Sequence, residues 1–215
     1  MSGAPRPVRP RLSSAARIAV LVPLLLAAPR AASAAPPPRD IAVSAPSDER
    51  VDLTALRETY LRSVGESKAI REGLAEIERL RGTGAVRRGS ELDATLTAYR
   101  GALVTLRAKH AFWPVQKLQY LNQGLAVLDA TVGAHPDHAE ARYLRLMSCY
   151  YLPGVLGRGR TVRDDFGALA RLLPGVRRQY PAELYGAITR FVVERGRLPA
   201  DQARALEATL AQGDA

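Results

Sequence analysis

From Val51 onward, apolar residues recur every three or four positions, and this periodicity constrains the fold more than any other feature of the chain. Residues spaced this way share one face of a 3.6-residue helix. Leu53, Leu56, Tyr60 and Val64 form a first stripe; Ile70, Leu74, Ile77 and Leu80 a second; Leu92, Leu96, Tyr99, Leu103 and Leu106 a third. Pro114 opens a fresh segment with Leu118, Leu121, Leu125, Leu128 and Val132, and Pro136 closes it. Tyr143, Met147 and Tyr150 begin the next, and a Gly-rich loop over Pro153–Gly159 precedes Val162, Phe166, Leu169 and Leu173. Leu184, Ile188 and Phe191, then Ala203, Leu206 and Leu210, complete the pattern. Polar and apolar residues nowhere alternate for long enough to make a strand. The expectation is an all-α domain over residues 51–213, of about eight antiparallel helices, each too short to persist alone.

Short antiparallel helices close into a bundle or stack as hairpins. The stretch Gly124–Tyr143 favours stacking. It has a small residue at Gly124, a large apolar one at Leu128, a proline at Pro136, and Ala139-Glu140-Ala141 opening the next helix. This resembles part of a tetratricopeptide repeat, in which the small residue lets paired helices approach and the proline caps the turn. Arg142 stands where that motif has Trp, and Leu146 where it has Gly. A tetratricopeptide-like helical-hairpin array with degenerate repeats is therefore expected.

The N-terminus has a different pattern. Arg6, Arg9, Arg11 and Arg17 precede an apolar run from Ile18 to Ala28, too short to span a membrane. Ala32-Ser33-Ala34 then supplies the small side chains of a cleavage site. Residues 1–34 read as a signal peptide cut after Ala34, and residues 35–50, with their prolines, as a flexible linker. The expected location is periplasmic or secreted, with no stable membrane span after cleavage.

That segment also corrects the charge. The chain has 31 Lys+Arg against 21 Asp+Glu, but residues 1–34 hold five arginines and no acid. What remains is +5 over 181 residues, with only three lysines in the whole chain, which points to a GC-rich genome more than to phosphate binding. No nucleic-acid partner is expected. The single cysteine, Cys149, lies among Met147, Tyr150 and Tyr151, so it reads as a buried, inert thiol and excludes an intramolecular disulfide.

A second resemblance spans residues 95–170. Tyr99-Arg100-Gly101-Ala102, Leu106, Lys109-His110, Phe112, Pro114, Lys117-Leu118 and Tyr120 are its first part. Pro136, Glu140, Arg142-Tyr143-Leu144-Arg145, Pro153, Leu156-Gly157 and Asp164-Asp165 are its second. Together they resemble an uncharacterised family of exported bacterial helical proteins. The resemblance implies fold and export, and no activity.

Several motifs carry possible chemistry. Gly154–Thr161 is one residue from a phosphate-binding loop, but Arg160 replaces its Lys and a helix, not a strand, precedes it. His135 and His138 flank Pro136-Asp137 in a turn, short of a metal-ligand set. Asp164, three residues after Thr161, reads as part of a helix cap. Neither a catalytic residue, a metal nor a cofactor is expected.

The best binding candidates are two basic groups. Lys109 and Lys117 bracket Trp113, and Arg142 and Arg145 share one helix face beside Glu140. Arginine with aromatics in a groove between stacked helices clamps a peptide carboxylate or an acidic partner. The expected function is a protein- or peptide-binding scaffold or adaptor of the bacterial cell envelope. The alternative is an envelope enzyme whose site joins histidines and aspartates from separate helices.

Overall fold

The computed structural model describes residues 51–211. The expected signal peptide and linker, and the end of the chain beyond residue 211, lie outside the described residues. The described chain is all-α: α1 (Thr54–Ser63), α2 (Ser67–Gly82), α3 (Glu91–His110), α4 (Pro114–Ala134), α5 (Ala139–Tyr150), α6 (Gly159–Val176), α7 (Ala182–Arg195) and α8 (Ala200–Ala211). Short 3-10 turns at Gly154–Leu156 and Arg177–Gln179 lead into α6 and α7. No described helix is long and apolar enough to cross a membrane.

Helix boundaries follow local chemistry. Ser90 caps α3 by accepting from the Asp93 amide, and Glu91 and Asp93 put negative charge at the positive end of its dipole. Pro114 is the first residue of α4, where its missing N–H costs nothing. His138 caps α5 through Nδ1, which accepts from the Ala141 amide.

Each helix packs on the next, and α1 also touches α3, α3 touches α5, and α6 touches α8. Side-chain contacts fix the directions. Arg57 near the start of α1 and Tyr99 midway along α3 both bond Glu140 in the first turn of α5. Near their C-termini, His110 of α3 bonds the Ser63 carbonyl of α1, and Thr105 of α3 meets Ser148 of α5. So α1, α3 and α5 run parallel, and their C-termini lie at one end.

The tightest approach joins α3 and α4. A Cβ at Gly124 would fall 2.5 Å from the Gly101 carbonyl oxygen and from the Thr105 side chain. No side chain fits there, which is the physical reason for a small residue at this position. Two apolar clusters meet at α5. Leu56, Ile77, Leu96, Leu103, Leu125, Leu128 and Leu144 fill the first, and Leu146, Phe166, Leu169, Leu173, Tyr185, Ile188 and Leu206 the second.

Candidate functional site

Glu140 is only 2% exposed, in the first turn of α5. Arg57 grips it with two parallel bonds, Nε to Oε1 at 2.9 Å and Nη2 to Oε2 at 3.0 Å, and the Tyr99 hydroxyl donates to Oε1 at 2.6 Å. Its own amide donates to the Tyr180 hydroxyl. Burial pulls the Arg57 guanidinium down, but the bonds and charge of Glu140 reverse this and leave it above its ordinary value. Burial first, and then the Glu140 charge, raise the Tyr99 hydroxyl well above the usual phenol range.

Arg142 and Arg145 share a face of α5, as their spacing requires, and that face meets α6. Asp165, with no exposure at all, accepts from Arg142 Nη1 at 2.9 Å and from Arg145 Nε and Nη2 at 2.9 and 2.7 Å. Arg145 also reaches Asp129 of α4, which holds Arg158 at 2.7 Å. This network ties α4, α5 and α6 together. Burial lowers the Arg145 guanidinium, but Asp165 more than compensates and its value ends above the ordinary one. A carboxylate removed from water is stable only when paired and hydrogen-bonded this fully. Glu140, Arg142 and Arg145 therefore have intramolecular partners, and Arg142 pairs with Asp165 rather than with Glu140.

The cap expected at Thr161 is not formed. Helix α6 starts at Gly159, so Thr161 lies inside it and Asp164 is beyond its first turn. The Gly-rich loop holds a 3-10 turn, and Gly157 adopts the left-handed conformation (φ 69°) that lets the chain turn into α6.

His135 and His138 meet at the exposed carboxylate of Glu91, His138 Nε2 at 3.5 Å, but no aspartate among the described residues joins them and His110 lies apart. His138 Nδ1 accepts from a backbone amide, so its proton resides on Nε2, 2.9 Å from Thr95 Oγ1. His110 bonds the end of α1, and His135 lies 3.9 Å from the exposed carboxylate of Glu91. No group of three His, Cys, Asp or Glu side chains able to hold a metal occurs among the described residues. Cys149 is buried, and burial pushes its thiol up to about 11, so the nucleophilic thiolate is scarce at neutral pH.

The other basic group has a different setting. Lys109 Nζ donates to the Val64 carbonyl at 2.7 Å, tying the end of α3 to the end of α1. Beyond it the chain leaves the body of the protein: residues 112–119 are all exposed, including Lys117. Phe112 is 82% and Trp113 63% exposed, packed edge-to-face on each other with centroids 5.1 Å apart. Val115 and Leu118 are exposed beside them. Trp113 thus plugs no core, and Leu118, at the head of the cleanest apolar stripe, faces solvent.

Two features were missed in the sequence. Asp165 lies on the apolar face that Val162, Phe166 and Leu169 define, a placement that marks a buried charge needing a partner. In addition, residues 94–128 contain Arg100, Arg107, Lys109, His110 and Lys117 and no acid. Comparison with family models, with curated proteins and with solved structures finds no match to this chain.

Proposed function

We propose that the chain is an exported scaffold of the bacterial cell envelope that holds a protein or peptide partner. The observation that carries this reading is the outer face of α4. Gln116, Gln119, Asn122, Gln123, Ala126, Ala130 and Gly133 recur at helical spacing, all exposed. Solvent-facing stripes normally carry charge, and charge depletion is what distinguishes the centre of a protein interface. Amides and small residues let another helix or an extended peptide lie close and bond along the groove. Lys117 stands at the head of this stripe.

The parallel run of α1, α3 and α5, with α2 and α4 between them, and the glycine contact at Gly101 and Gly124 support a tetratricopeptide-like stacking. In such an array each helix leaves a face for the next, and α4 would offer its face to a partner.

A photocrosslinking side chain at position 123, against a control at exposed Glu78 of α2, tests the reading in intact envelopes. The expected result is a discrete protein adduct at 123 and none at 78, on a chain whose mass starts at Ala35. Equal adducts at both positions, or none at 123, would show that α4 holds no partner.

A further inference from the structure

Every large apolar side chain that the described structure leaves exposed lies at the same end of the array. Leu61 and Val64 close α1, Phe112 and Trp113 form the α3–α4 turn, and Val115 and Leu118 open α4. Tyr151, Val155 and Leu156 follow α5. The parallel course of α1, α3 and α5 brings these three connections together, for the C-terminus of each helix delivers one of them. Val155 is 91% and Phe112 82% exposed, so these two tips stand proud of the body.

The charge at this end has one predominant sign. Lys109 and Lys117 flank the aromatic pair, within the acid-free stretch 94–128. Arg160 and Arg163 are exposed at the start of α6, against Asp164 alone, while at the α1–α2 connection Arg62 and Lys68 balance Glu66 and Glu72. Protruding Phe, Trp, Val and Leu tips ringed by cations match the boundary of an anionic bilayer. There apolar tips enter the acyl region, Trp settles at the headgroups, and lysines reach phosphate while their stems stay apolar. A protein partner would need three fitted pockets for three separate tips; a fluid bilayer needs none.

We propose that this end seats the protein on an anionic lipid surface. The seat takes the start of α4, Lys117 included, and leaves the rest of its outer face, from Asn122 to Gly133, free, so it stands or falls independently of a partner held there. Trp113 is the only tryptophan, so its fluorescence reports on this end alone. The full chain is titrated with phosphatidylcholine vesicles, with and without phosphatidylglycerol.

With phosphatidylglycerol, Trp113 emission should shift to the blue and become shielded from aqueous acrylamide, and high salt should weaken the effect. Lys117→Glu and Val155→Asp, on two different connections, should each weaken binding by roughly tenfold, with circular dichroism unchanged. Four results overturn the proposal. Trp113 stays in water even though the chain sediments with vesicles, so that other residues bind. Alternatively, Val155→Asp binds as tightly as the native chain. The emission is already blue and shielded without lipid, so that the chain itself or a second copy covers this end. Finally, lipid-free envelope proteins shift it and vesicles do not, which makes it a protein-docking surface. None of these results bears on the adducts formed at position 123.

Discussion

Asp165 and Glu140 are shut away from water, while Phe112, Trp113 and Val155 stand in it. The two regions reverse the ordinary partition of charged and apolar side chains, and the reversal has a different cause in each. In the interior, parallel and neighbouring helices bring guanidinium groups to the carboxylates: Arg57 from α1 to Glu140, and Arg142 and Arg145 from α5 to Asp165. A charge can be buried when an adjacent helix supplies its counter-ion in good geometry. At the loop end nothing in the described chain continues past the turns, so apolar residues placed there have no core to join. The interior pairs thus belong to the fold, whereas the end is free to serve function.

On that contrast, the largest loss of stability comes from the interior. Asp165→Ala leaves two arginines facing each other without a carboxylate and should cost about 3 kcal/mol, read as a lower urea midpoint with unchanged slope. A loss under about 1 kcal/mol would mean that Arg142 and Arg145 turn to solvent and that the pair is a surface feature. The α3–α4 contact comes next. Gly124→Ala forces a methyl against the Gly101 backbone and should cost about 1–3 kcal/mol, whereas Gly133→Ala, with open space around it, should be neutral or stabilising. Equal effects at both glycines would remove the close approach as the reason for Gly124. The smallest effect is expected at the other pole. Phe112→Ser should change stability by no more than about 0.5 kcal/mol, because the ring covers no core. A larger loss would place Phe112 among the packed residues and dissolve the contrast.

Much of the fold was legible in the chain. Pro114, the Gly-rich breaks and the helical period marked the elements well, because apolar spacing is a local property that helix geometry reads directly. The site was less legible. The spacing of Arg142 and Arg145 puts them on one face, but a face has no direction until α6 is laid against it. Asp164-Asp165 illustrates the same difficulty. The adjacent residues differ by one step of helical rotation, which puts Asp165 on the buried face with Phe166 and Leu169 and leaves Asp164 in solvent.

The sequence by itself determined the all-α class, the chain breaks and the burial of Cys149, since each follows from residues close together in the chain. Only the tertiary structure decided that Glu140, Arg142 and Arg145 are bound within the fold and that the exposed apolar residues of three distant connections share one end. Both facts depend on α1, α3 and α5 running parallel. That direction is set by long-range packing, including the glycine contact of α3 with α4 and the pairing of Arg57 and Tyr99 with Glu140, and no local pattern of residues encodes it.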